Sequence, residues 1–175
     1  MKPLRLVINV AAYYCAWFAC VLGAAAQRPL IGMVVVAAAL IWHLRSAAAP
    51  RRELRLIAIA ALCGAAFETL LVASGWVQMS PALLLGSFTP LWMVALWVAF
   101  ATMLNVALRA LRPRYLLSAV LAAIGAPLAY YAGARLGALQ WVEEVPALLL
   151  IAVGWAVLTP LLMKSAQRFD GFAAT

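Results

Sequence analysis

Six apolar stretches alternate with short polar breaks along this chain, at residues 6–26, 30–44, 56–74, 90–108, 115–134 and 146–163. Each is expected to be a helix. A hydrocarbon core of about 30 Å takes about 20 apolar residues per helix, so the pattern predicts an all-α, polytopic membrane bundle of six spans in a single domain covering residues 1–175. The second stretch is the shortest, and five spans stay open beside six. The breaks are marked by Gln27-Arg28-Pro29, the run from Ala49 to Glu53, Arg112-Pro113-Arg114 and Glu143-Glu144. Pro29, Pro90 and Pro146 suit first helical turns, where a missing N–H costs nothing.

Between the third and fourth stretches, residues 77–89 hold too few apolar positions to cross. Ser80-Pro81 resembles a helix start and Gly86 a stop, with Trp76 at the boundary. A short interfacial or re-entrant helix is expected there.

Composition removes water-soluble folding from consideration: 69% of residues are hydrophobic and only 10% charged, against about 45–50% apolar usage in soluble domains. Charge sets the orientation. With the N-terminus inside, Lys2, Arg5, Arg45, Arg51, Arg52, Arg55, Arg109, Arg112, Arg114, Lys164 and Arg168 fall on the cytoplasmic side, leaving Arg28 and Arg135 outside. By the positive-inside rule both termini are cytoplasmic. The net charge of +8 therefore serves orientation and anionic lipid, and nucleic acid is not an expected partner.

Lys2 and Arg5 before an apolar run ending in Ala24-Ala25-Ala26 resemble a secretory signal. That run is longer than such a core and carries Asn9, Tyr13, Tyr14 and Trp17, so it is taken as a span. Cys15, Cys20 and Cys63 lie within spans without a CxxC spacing, and they read as buried thiols. No metal site and no cofactor is expected.

Glu68 is the costliest residue in the chain, an acid with no charged neighbour between Arg55 and Arg109. Such a residue is a candidate for function, here as a proton-transfer acid, or else a neutral clasp between helices. At 1.5 Å per residue it lies about 20 Å from Arg55, in an outer layer with Trp17, Trp92, Tyr130 and Tyr131. Asn9, His43, Asn105 and Ser118 fall in an inner layer. Asn9, Tyr13 and Trp17 share one helical face by their i, i+4, i+8 spacing. Asn9 and Asn105 could bond to each other between helices, while His43, beside Arg45, reads as solvated at the interface. Candidate ligand-binding residues are Asn9, Tyr13, Trp17, Glu68, Trp92, Asn105 and Tyr130, and Pro127 is expected to kink the fifth helix beside Gly125. No nucleophile motif or phosphate loop completes a catalytic constellation.

The order of Asn9, Trp17 and Val21-Leu22-Gly23, the acid Glu68 with Leu70-Leu71 and Gly75, Pro90-Leu91-Trp92 with Leu96-Trp97, Phe100-Ala101-Thr102 with Asn105, and Gly125-Ala126-Pro127-Leu128-Ala129-Tyr130 running on to Ala138 resembles an uncharacterised family of small bacterial inner-membrane proteins. Glu68 stands where many relatives carry Asp, and Ala126 where a second Gly is usual. The resemblance covers nearly the whole chain and implies a multi-pass protein of the bacterial inner membrane, encoded near lipid-modifying genes. Membrane lipids, with lipid-modifying enzymes, are the partners it implies. The function expected on this reading is handling or helping to modify a membrane lipid or other hydrophobic small molecule. A small proton-coupled transporter built of three plus three spans, and a structural or assembly subunit without a ligand, are the alternatives; oligomerisation is left open.

Overall fold

The computed structural model describes residues 3–79 and 88–172. Six α-helices account for most of them: α1 (Pro3–Ala25), α2 (Leu30–Ser46), α3 (Pro50–Ala73), α4 (Leu91–Leu104), α5 (Tyr115–Arg135) and α6 (Glu144–Arg168). Four of these, α1, α3, α5 and α6, are long and apolar enough to cross a membrane. The other two are shorter apolar helices of 17 and 14 residues, about 26 Å and 21 Å long at the α-helical rise.

The helix bounds differ most from the apolar stretches where a polar residue is used inside the fold. α3 begins at Pro50, not at residue 56, because Pro50 takes the first-turn position and carries Glu53 into the helix. α4 stops at Leu104 and not at 108, since Asn105 leaves the helix to bond elsewhere. A 3-10 turn at Arg109–Leu111 follows. α5 runs unbroken through Pro127, so the expected kink does not interrupt the helix. α6 also contains a proline, Pro160.

Short turns fold consecutive helices back on one another. The pairs α1–α2, α3–α4 and α5–α6 each pack along their length, α4 also packs on α1 and α2, and α3 packs on α6. α4 therefore sits centrally, which is why Trp92, Trp97, Ala101 and Leu104 are all buried. α4 crosses the division between helices 1–3 and 4–6, so the bundle does not separate into two three-helix halves.

One end carries the α2–α3 and α4–α5 turns with their arginines, and we term it the basic end. At the opposite end two strands pair antiparallel: β1 (Val77–Met79) and β2 (Leu139–Trp141), centred on Gln78 opposite Gln140. In the segment expected to be an interfacial helix, residues 77–79 are thus strand and 88–89 irregular; Ser80, Pro81 and Gly86 lie outside the described residues. Each strand follows a helix that ends on a left-handed glycine, Gly75 at φ 75° and Gly137 at φ 88°. After α5 the N–H of Ala138 returns to the Gly133 carbonyl and that of Gly137 to Ala134, a Schellman stop that needs a residue free of the Cβ penalty. Both strands leave their helices after a left-handed glycine and pair with each other.

Candidate functional site

A cavity of about 550 Å³ lies between α1, α4, α5 and α6. Ser118 and Gly133 on α5 both line it, and their fifteen-residue separation makes it about 22 Å long. It extends from Ala138 and Leu139 at the strand end to Leu108 and Leu111 at the basic end. Its floor is buried, with Trp92, Met93, Trp97, Tyr130 and Met163 all under 8% exposed. Its rim is open: Tyr14 and Phe18 on α1 are 56% and 47% exposed, and Leu121 and Leu128 on α5 are 49% and 63% exposed. Among the described residues α1 and α5 face each other here without forming a packed pair. Near the strand end Ala25 of α1 lies close to Gly137, just past α5. The result is a long apolar groove that opens sideways between two helices.

Behind the floor lies Glu68, fully buried on α3. Its Oε1 accepts the indole N–H of Trp97 at 2.9 Å and the hydroxyl of Tyr130. Glu68 Oε2 has no partner among the described residues. Trp97 and Tyr130 line the cavity and Glu68 does not, so the acid reaches the cavity only through those two side chains. The arrangement joins α3 to both α4 and α5. Trp97 is held from two further sides: Gly64 lies against its ring with no room for a Cβ, and Trp155 of α6 stacks on it with centroids 4.3 Å apart and planes at 25°, a favourable offset geometry.

Four of the residues expected to bind a ligand, Tyr13, Trp17, Trp92 and Tyr130, line the cavity. Asn9 and Asn105 lie outside it, and they do not bond to each other. Asn9 donates to the Thr102 carbonyl at 3.1 Å. Asn105 faces the basic end instead and donates to Glu53 Oε1 at 2.7 Å. Trp97, named only within the family resemblance, belongs to the site with Trp155 and Thr159, which the sequence does not single out because an indole or a threonine in an apolar helix reads as packing. The spacing of Trp155 and Thr159, at i and i+4 on α6, was the available signal.

A second polar cluster closes the basic end. Glu53 is fully buried, and its Oε1 also accepts the Gly171 N–H at 2.7 Å. His43, expected to be solvated, is 1% exposed and pairs through Nε2 with Glu53 Oε2 at 2.9 Å. The short α2–α3 turn folds residue 43 back onto residue 53 and takes both from water. Arg112 donates to Asn105 Oδ1 at 2.7 Å and to Asp170 Oδ2 at 2.8 Å, and Arg109 pairs with the same carboxylate at 3.0 Å. Burial pushes the Asp170 carboxyl up, but the Arg112 hydrogen bond, the Phe172 N–H and the charges of Arg112 and Arg109 outweigh it and hold the group below its ordinary value. Phe172 packs edge-on against His43, with Arg5 of α1 over its other side. This cluster ties the chain's end to four helices and lines no part of the cavity. Among the described residues no group of His, Cys, Asp and Glu could hold a metal ion.

A family model described as "Protein of unknown function (DUF2878)" matches residues 6–161. The chain belongs to the DUF2878 family. The match reaches into all six helices and takes in Glu68 and every cavity-lining residue except Met163. No curated protein and no solved structure matches this member of DUF2878.

Proposed function

We propose that this DUF2878 protein is a six-span protein of the bacterial inner membrane with its basic end in the cytoplasm, and that it holds a membrane lipid or other hydrophobic small molecule in the α1/α4/α5/α6 cavity. The observation that carries the reading is the unpacked gap between α1 and α5, which gives an apolar cavity a side opening at membrane depth. A cavity of about 550 Å³ lies within the roughly 300–1,000 Å³ range of small-molecule sites. Aromatic walls with few polar groups are the usual lining of such sites.

The experiment uses the tryptophans as reporters, since Trp92, Trp97 and Trp155 line the cavity. The protein is placed in bilayer discs and titrated with phospholipid carrying a brominated acyl chain. Occupancy of a site gives quenching that saturates at low mole fraction. Quenching that only rises in proportion to brominated lipid reports the surrounding bilayer and contradicts the reading.

One observation favours a second reading, a structural subunit in which Glu68 is a clasp: its Oε1 takes donors from α4 and α5 at once. Glu68→Gln separates the two. A glutamine oxygen still accepts both bonds, so a clasp survives; a proton-transfer role in lipid modification does not. Comparative lipid mass spectrometry of cells lacking the protein, carrying it, or carrying Glu68→Gln reads the difference.

A further inference from the structure

Arg135 and Glu144 line one pocket at the strand end and make no bond to each other. The pocket, of about 330 Å³, lies between the last turn of α5, β2 and the start of α6. Among the described residues it shares only Leu139 with the long groove. Tyr131 and Trp141 complete its wall, and none of these four side chains has a hydrogen bond or ion pair among the described residues. Arg135 and Glu144 are both exposed.

Main-chain bonds set the pocket's shape while its charges stay free. The left-handed Gly137 ends α5 just past Arg135, and β2 is held by its pairing with β1. Immediately before Glu144, the N–H groups of Val142 and Glu143 both donate to the Trp76 carbonyl, at 2.9 and 3.1 Å.

A cation and an anion that line one pocket without pairing suit a ligand that carries both charges. The Arg135 guanidinium presents a planar fork of donors that matches a phosphate, and the Glu144 carboxylate accepts N–H groups from an ammonium. Glu143, exposed beside Glu144, leaves two acids against one cation, so a headgroup that is only anionic is opposed here. A quaternary ammonium has no N–H to donate. Tyr131 and Trp141 are of the residue types that settle at headgroup level. Ile124 and Val120, seven and eleven residues before Tyr131, share its exposed face of α5, which gives acyl chains an apolar surface next to the pocket. A soluble zwitterion has no use for that surface.

We propose that this pocket binds the headgroup of a zwitterionic phospholipid with a primary ammonium, of the phosphatidylethanolamine type, with Arg135 on the phosphate and Glu144 on the ammonium. The site is separate from the groove and rests on the reading that the strand end lies at the membrane boundary.

Native mass spectrometry of the full-length protein in micelles tests this, by titration with phosphatidylethanolamine, phosphatidylcholine and phosphatidylglycerol of identical acyl chains. Phosphatidylethanolamine should be retained at about tenfold lower concentration than the other two, the effect of one hydrogen bond to a charged group. Glu144→Lys should reverse the order in favour of phosphatidylglycerol, and that gain also shows that the variant is folded. Arg135→Gln should weaken all three lipids, since each carries a phosphate. Equal binding of the three by wild type, or an order unchanged in Glu144→Lys, overturns the site. So does undiminished binding by Arg135→Gln. Soluble glycerophosphoethanolamine competing as well as the lipid overturns the membrane source and assigns the pocket to a soluble zwitterion. The brominated-chain quenching of the groove tryptophans is read separately, so failure here leaves the lipid-holding reading of the groove standing.

Discussion

Tyr130 donates its hydroxyl to the same oxygen of Glu68 that takes the Trp97 indole, and both donors form cavity wall while the acid stays behind them. α5 is thereby fastened across the bundle to α3, with which it forms no packed pair. An acid in the apolar interior is costly, and two donors on one oxygen offset part of that cost.

Tyr130→Phe removes one of those bonds and keeps the ring. We expect a loss of about 1 kcal/mol, in line with hydrogen bonds between membrane helices, whereas Glu68→Gln should change stability less. Denaturation in mixed micelles measures both, and a larger loss for Glu68→Gln would show that the carboxylate is held as an ion.

Two glycines facing opposite conditions should respond in opposite ways. A Cβ on Gly64 would overlap the Trp97 ring, while one on Gly125, which lines the cavity, meets nothing within 4 Å. Gly64→Val should destabilise by about 1–3 kcal/mol through overpacking. Gly125→Leu should stay within about 0.5 kcal/mol of wild type.

At the basic end Glu53 collects three partners, and removing it takes an acceptor from His43, from one Asn105 amide hydrogen and from the Gly171 N–H together. Glu53→Ala should cost about 3 kcal/mol or more, as for breaking a buried polar pair. Chemical denaturation checks it.

Asp170 gives a pH signature. Its carboxyl is held below the ordinary value of 3.8 in the folded protein, so it contributes stability that is fully present above 3.8 and is lost as pH falls through the lower folded value. The stability difference between wild type and Asp170→Asn should be constant near neutrality and shrink below pH 3.8. A difference that persists unchanged at lower pH would show that the arginine pairing does not set it.

Helix order was legible because hydropathy over 15 or more residues is a strong local signal. Helix rise alone puts Glu68 and Tyr130 in one layer. The β1–β2 pairing was not legible: three-residue strands carry almost no pattern, and these come from turns some sixty positions apart. Glu53 was missed for a different reason. Beside Arg51, Arg52 and Arg55 it reads as a solvated charge, and only the helix start at Pro50 turns it inward. His43 followed the same error, since its partner is ten residues away across a turn.

The central claim is that the cavity is filled by a lipid that enters from the bilayer. Mass spectrometry of lipid retained by purified wild type and by Gly125→Leu, at equal stability, tests it most directly. The account predicts a lipid retained stoichiometrically by wild type and lost from Gly125→Leu, whose side chain occupies the groove. The same lipids in the same amounts from both proteins would contradict it.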